Sequence, residues 1–292
     1  MNFSELKKQS GKNFLETLSQ ELNKIISSES NKEDERFWQP SVDKAGNGYA
    51  VIRFLPPPPN ETLPFVRIWE HAFKGPTGKW YIEKSLTTLG QNDPVSDYNT
   101  RLWNSTNDDD SPARKQARAQ RRKLVFISNV YILNDQNEPE NNGKVKLFRY
   151  GKKIFEKINE KMNPQFADEE PINPFDFWTG ANFKLKIRTV EGYRNYDKSE
   201  FAKPGPLFED DQKLEAIWKQ EHSLQQFVDP STFKSYDELQ RRLNEVLNLN
   251  VNTTTPPVTP KEVLQTKLVN ENMLENNVEE DEDLAYFRSL VN

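Results

Sequence analysis

Residues 124–133, Leu-Val-Phe-Ile-Ser-Asn-Val-Tyr-Ile-Leu, are apolar at both odd and even positions apart from Ser128 and Asn129. Side chains of a β-strand alternate between two faces, so a strand of this kind leaves neither face for water. The segment is therefore expected to be a central strand. The surrounding chain gives it little apolar material: 34% of the 292 residues are hydrophobic and 29% are charged. It does carry 18 Phe, 9 Tyr and 6 Trp. A chain this long can bury a core, and rings supply large apolar area. That many rings exceeds what a sparse core needs, which leaves some for an exposed purpose.

Two other strand candidates alternate. Phe183, Leu185 and Ile187 fall on one side of residues 183–190, and Lys184, Lys186 and Arg188 on the other. In Lys144 to Tyr150, Lys144, Lys146, Phe148 and Tyr150 share a face, while Val145, Leu147 and Arg149 share the opposite one. Lys152 and Lys153 follow directly. Ammonium groups beside rings suit phosphates and unstacked bases; an ordinary strand with a solvated Lys face is the alternative. A further run, Arg114 to Lys123, holds Arg114, Lys115, Arg118, Arg121, Arg122 and Lys123 with no acid, and it abuts the central segment. Solvated surface is the commoner use of such a run. Several basic segments interleaved with rings nevertheless form the pattern of a single-strand binder.

The net charge of −5 does not argue against this, because it is local. Residues 250–292 hold eight acids and three bases, which leaves residues 1–249 neutral. With no cysteine, disulfides, thiol catalysis and Cys-based metal sites are excluded. Two histidines, His71 and His222, exclude His-rich sites. No apolar run of about 18 residues could span a bilayer, so a soluble, intracellular protein without membrane contact is expected. Asp108, Asp109 and Asp110 read as a solvated turn rather than a metal site, since no second carboxylate cluster supports them.

Helical spacing appears over Phe14–Ile26, after Lys7, Lys8 and Lys12; over Ile154, Phe155, Ile158 and Met162; and over Leu214, Ile217, Trp218 and Leu224. Ser235 and Glu238 have capping-box spacing before Leu239, Leu243, Val246 and Leu247. Residues 49–55 end in Pro56–Pro59, and Gly75-Pro76-Thr77-Gly78 suggests a hairpin between residues 65–73 and 79–83. Residues 252–257 form a Thr/Pro linker. The acids Glu279, Glu280, Asp281, Glu282 and Asp283 precede Leu284, Tyr286, Phe287, Leu290 and Val291. Rings are rare in solubilising tails, which favours a segment that folds onto partner proteins.

Six blocks, AGNGYAVIRFLP (45–56), GKWYIE (78–83), PENNGKV (139–145), RYGKKIFEKIN (149–159), GANFKLK (180–186) and GYRNYD (192–197), occur in one order. Together they make the chain closely resemble the single-stranded DNA-binding, helix-destabilising proteins of T-even-type bacteriophages. The resemblance implies an α+β, β-rich fold: an OB-fold core with helical additions over 37–249. Residues 1–36 would be a basic segment for cooperative self-association, and 250–292 a linker and mostly disordered acidic tail. It implies a non-enzymatic protein that coats single-stranded DNA without sequence preference, removes hairpins and supports phage replication, recombination and repair. Partners would be single-stranded DNA, RNA as well, further copies of itself, and, through the tail, phage polymerase, helicase loader and recombination mediator. The setting would be the cytoplasm of the infected bacterial host. A protein–protein adaptor and a magnesium-dependent nuclease using Asp108–Asp110 are the rival readings.

By position, Arg53, Trp103, Phe126, Arg149, Tyr150, Tyr193 and Tyr196 match cleft residues that pair with phosphates or stack on bases. Trp103 and Phe126 stand where tyrosines are usual. Arg121, Arg122 and Lys123 match the second basic run of the core, and Lys144, Lys146, Phe148, Lys152, Lys153, Lys184 and Lys186 join them as expected DNA contacts. Lys7-Lys8-Gln9-Ser10, with Lys12, resembles a weakened self-association segment. The tail candidates are Glu279 to Asp283 with Leu284 and Phe287. Arg149 falls on the apolar face by alternation but in the cleft by resemblance; a bulge near Phe148 would reconcile the two. Well-known members bind structural zinc through one His and three Cys. Here His71 matches the His, but the other positions fall near Ser85, Asp93 and Ser96. No cofactor is therefore expected, with zinc replaced by apolar packing of Trp80, Ile82 and Leu86.

Overall fold

The central segment is the hub of the sheet. In the computed structural model of the chain, which describes residues 34–249 except 167 and 191, it lies within β5 (Lys123–Asp135). One edge of β5 pairs antiparallel with β6 (Val145–Gly151), from Val125 opposite Gly151 to Tyr131 opposite Val145. Two strands share the other edge. Phe65–Glu70 of β3 (Phe65–Lys74) lie opposite Ser128–Lys123, and Ala50–Phe54 of β2 (Gly48–Phe54) lie opposite Asp135–Val130. The β2 register shifts between Val51 and Ile52, so Leu133 has no partner and the strand bends there. β1 (Phe37–Trp38) runs parallel to β6. β4 (Trp80–Lys84) closes the expected hairpin with β3, where Gly78 takes φ 80°. β7 (Ala181–Val190) pairs with β2, and its far edge takes β8 (Tyr193–Asn195) and β9 (Glu200–Pro204).

Five α-helices accompany this sheet among the described residues: α1 (Pro94–Asn104), α2 (Pro112–Ala119), α3 (Lys152–Met162), α4 (Asp211–Trp218) and α5 (Tyr236–Leu247). The fold is thus mixed α+β with a strand-rich sheet. The expected segment at 14–26, the candidates Lys7, Lys8, Ser10 and Lys12, and the tail candidates lie outside the described residues.

Rings fill the concave side of the sheet. Phe54 meets Phe148, Tyr150, Phe175, Phe183 and Phe201 at centroid distances of 5.6–6.4 Å. Phe126 lies flat against Phe155 of α3 at 4.0 Å, with Tyr150 stacked at 5.7 Å. The convex side of β5 is also covered. Tyr131 packs with Leu55, Val145, Phe177, Leu207, Leu214 and Ile217, and Ile127 with Ile68, Leu147 and Leu224. Both sets of β5 side chains are therefore buried, as the sequence requires. The two polar exceptions are bonded: Ser128 Oγ and the Tyr150 hydroxyl are 2.9 Å apart, while Asn129 exchanges two hydrogen bonds with the backbone of His222.

Some local expectations shift. Ile154, Phe155 and Ile158 face inward, but Met162 ends α3 largely exposed. α4 stops at Trp218, so Leu224 is buried from the following coil, and half-buried His222 lies in that coil rather than in a helix. The capping box holds: Glu238 N donates to Ser235 Oγ and Ser235 N to Glu238 Oε2. α1 and α2 carry too few apolar residues to register as periodic. Their only signals were Asp93-Pro94 and Ser111-Pro112, each an N-cap followed by proline at N1.

Glu221 is an anomaly in this core. Both carboxylate oxygens are buried without a hydrogen-bond partner, and burial together with the nearby Glu61 pushes its pKa up to about 9. A carboxyl raised above its unfolded value of about 4.3 contributes stability at low pH that is lost as pH rises toward the folded value. Glu221→Gln is expected to be more stable than the parent by about 1–3 kcal/mol at pH 8. The gap should narrow toward pH 4.5, read as the difference between the two urea midpoints at each pH.

Candidate nucleic-acid interface

The basic run Arg114–Lys123 spans most of α2 and the start of β5. α1 brings Trp103 under it. The guanidinium carbons of Arg114 and Arg118 lie 4.5 and 5.7 Å from the centroid of the half-buried Trp103 ring, and Arg122 sits 4.5 Å over Trp69 of β3. Such stacks desolvate one side of a guanidinium and hold it in place. Arg121 and Lys123, on either side of Arg122 in the chain, are exposed. Two of the three aspartates serve this arm: Asp109 accepts from Arg114 through its side chain and from Arg118 through its carbonyl, and Asp110 faces Lys115 at 3.5 Å. Among the described residues no group of three or more His, Asp or Glu could hold a metal ion.

A second basic group forms where α3 meets β7, β8 and β9. Phe183, Leu185 and Ile187 point inward, which turns Lys184, Lys186 and Arg188 outward as the alternation predicted. The bond from Asn195 and the fields of Lys153, Arg188 and Lys157 hold the Asp197 carboxyl below its ordinary range. Glu200 is lowered by its hydrogen bond from Lys186 and by the fields of Lys186, Lys184 and Lys157. Tyr193, 79% exposed, projects from β8 beside Arg194, and Tyr196 is half-buried. α3 links the two groups: Phe155 packs on Phe126 and edge-on against Phe65 of β3, while its Lys153 and Lys157 face Asp197.

Four expected contact residues are core instead. Arg53 is 1% exposed on the convex face of β2. It donates from Nε to Asn182 Oδ1 (2.9 Å), from Nη1 to the Asp176 carbonyl (3.1 Å) and from Nη2 to the Gly205 carbonyl (2.7 Å). Burial lowers its pKa to about 10. Gly180 must be glycine here, since a Cβ would stand 2.2 Å from the Asp176 carbonyl oxygen and 2.6 Å from Arg53 Nη1. Phe126, Phe148 and Tyr150 are 0%, 3% and 4% exposed within the ring-filled interior. Val145 and Leu147 are core as the alternation of β6 predicted, but the ring face, expected to meet DNA, is core as well.

Arg149 needs no bulge, because β6 pairs with β5 in unbroken register. It follows Val145 and Leu147 on the convex face and reaches Glu70 beyond the apolar cover. Lys144 and Lys146 lie at the opposite end of β6 from Lys152 and Lys153, about 20 Å away at 3.3 Å per residue. Lys146 donates to the Glu35 carbonyl at 2.6 Å. The sequence reading passed over Trp69, Lys157, Arg188 and Arg194 as contact candidates. Only Lys157 and Arg194 lay in the blocks that carried the resemblance.

The positions that match zinc ligands hold a different device. Trp80 and Ile82, expected to pack there, are 53% and 63% exposed, and only Leu86 is buried. Instead His71, Ser85 and Asp93 are buried together. Ser85 Oγ already accepts from Thr87 N and lies 2.9 Å from Thr87 Oγ1, and Asp93 accepts from three backbone amides. One imidazole, one carboxylate and two serine hydroxyls do not make the Cys/His set of a closed structural zinc site. These residues do not fit the metal.

Comparison with known proteins places these features in a lineage. Residues 46–247 match the family model described as gp32 DNA binding protein like. The chain is 36% identical over 226 residues to the single-stranded DNA-binding protein of Enterobacteria phage T4, covering 75% of this chain and 72% of the relative. It is 36% identical over 222 residues to that of Enterobacteria phage T2, covering 74% and 71%. A 79-residue stretch is 46% identical to the single-stranded DNA-binding protein of Escherichia phage SV14, covering 26% of this chain and 69% of that one.

The buried assignments have a direct check. Arg53→Lys leaves at least one carbonyl without a donor and is expected to cost about 1–3 kcal/mol. Phe126→Ala is expected to cost about 3–5 kcal/mol through the cavity it opens. Both are read from chemical unfolding; a loss below about 0.5 kcal/mol would return either residue to the surface.

Proposed function

The chain belongs to the gp32 DNA-binding-protein-like family, and from that membership we propose that it binds single-stranded DNA without sequence preference and without chemistry of its own. The observation that carries the reading is the pairing of guanidinium groups with indole rings along α1, α2 and the start of β5. Cations held beside rings can track a phosphate backbone while bases stack. The group around Lys153, Lys157, Lys184 and Arg188, with exposed Tyr193, extends the same chemistry past α3. The curved sheet, with β5 shared between β2 and β3, supports an OB-type core over 37–249. Preference for the unpaired strand would melt hairpins by mass action.

Residues 1–36 would drive self-association along the strand, and 250–292 would recruit replication and recombination proteins of the phage in the host cytoplasm. No helix among the described residues is long and apolar enough to cross a membrane. The pairing of the Asp109 and Asp110 carboxylates with Arg114 and Lys115 speaks against the nuclease reading.

Quenching of tryptophan fluorescence by oligo-dT at several salt concentrations tests the proposal. Affinity should fall linearly on a log–log scale, with a slope of about −0.7 per phosphate contacted. Arg118→Ala with Arg122→Ala should shallow that slope by about 1 to 1.5. No quenching at low salt would leave only the adaptor reading. Lys7→Ala with Lys8→Ala should reduce cooperativity on long poly-dT more than affinity for a single-site oligomer; equal losses would remove residues 1–36 from self-association.

A further inference from the structure

The arm formed by α1 and α2 has little apolar anchoring. Pro94 and Val95 are the buried residues of α1, and Ala117 is the one in α2. Trp103, Arg114 and Arg118 are placed by these helices, so something other than apolar packing holds them. A single imidazole stands where they meet the sheet. His71, on β3, is 1% exposed. Its Nδ1 donates to the Gln120 carbonyl oxygen at 2.8 Å, and Gln120 is the C-cap of α2. Its Nε2 lies 3.1 Å from Asp93 Oδ1, in contact but outside hydrogen-bond geometry.

Asp93 is equally buried and is the N-cap of α1. Its Oδ1 accepts from Val95 N and Ser96 N, and its Oδ2 from Leu86 N, two residues past β4. One ring and one carboxylate thus tie the end of α2 and the start of α1 to the β3–β4 hairpin. A second tie, from the Tyr236 hydroxyl to Asp97 Oδ2 at 3.0 Å, joins α1 to α5 but does not reach α2.

We propose that His71 and Asp93 are positioning residues for strand binding: their buried contact sets α1 and α2 so that Trp103, Arg114, Arg118 and the run Arg121–Lys123 face one ligand, and it does so without a metal ion. The proposal rests on the single-strand reading above. It differs from a general stability role because the pair joins only the arm to the sheet. Breaking it frees cations from the binding surface while the ring-filled core stays intact.

The test uses the full chain and two variants. Asp93→Asn keeps a good N-cap for α1 and removes the charge opposite His71. His71→Gln leaves the cap untouched. Oligo-dT binding is measured against salt, with and without EDTA, at a temperature where circular dichroism shows each protein folded. The parent should bind equally with and without EDTA. Each variant should lose about tenfold in affinity, with a slope shallower by about 1 to 2, the signature of two or three phosphates no longer contacted. Unchanged slopes in both variants would overturn the proposal. So would loss of fold in both, which would make the pair a global stability element, or an EDTA-sensitive parent restored by zinc. A parent that fails to bind oligo-dT at low salt would instead overturn the single-strand reading.

Discussion

Phe54 stands among rings contributed by β6, β7, β9 and the segment at Phe175, and its packing decides where everything else points. Aromatic pairs at these separations add about 0.5–1.5 kcal/mol each beyond the area they bury. With one set of side chains committed to that interior, the opposite set of every strand is turned outward. On β7 this exposes Lys184, Lys186 and Arg188. On β5 and β6 it demands a second apolar layer, which Leu207, Leu214, Ile217 and Leu224 provide. A chain with few aliphatic residues can afford two layers because one of them is built from rings.

Polar groups that enter this interior do so with partners, as burial requires. Ser128 meets Tyr150, Asn129 meets the His222 backbone, and Arg53 spends its guanidinium on one side chain and two carbonyls. The last case shows how misleading a charge can be. An arginine within a block that carries the family resemblance reads as a phosphate ligand, yet here it fastens the loops at Asp176 and Gly205 to β2. Glu221 is one exception, a carboxyl left without a donor beside Glu61, and burial resolves it by favouring the protonated form.

Outside the core, cations are arranged on supports rather than left to solvent. Indoles carry Arg114, Arg118 and Arg122; Asp109 fixes the first two; Asp197 and Glu200 sit within the lysine group of α3 and β7. Exposed pairs of this kind contribute little to stability. Their value lies in holding charge ready at low cost in side-chain entropy, to be exchanged for a stronger anion. The same economy applies to the arm itself, which is fastened by a buried imidazole–carboxylate contact and a helix cap instead of a hydrophobic core.

Much of the scaffold was legible in the order of residues. The two-sided apolar run fixed the central strand, alternation placed the lysines of β7 outside, and turn and capping residues located the hairpin and α5. These features depend on local periodicity, which the backbone enforces wherever the segment ends up. The helices α1 and α2 were missed because they bury almost nothing and left only their caps as a trace. The candidate interface was partly legible: the basic run, Tyr193 and the cationic face of β7 were visible, whereas Trp69 was not singled out. What alternation cannot tell is which of two faces is the inside. Lys146, Phe148 and Tyr150 share a face in β6, and the sequence alone allowed that face to hold DNA. Only packing against Phe54, Phe126 and Trp38 made it the core, because a ring's preference for other rings over water is settled by neighbours that lie far away in the chain.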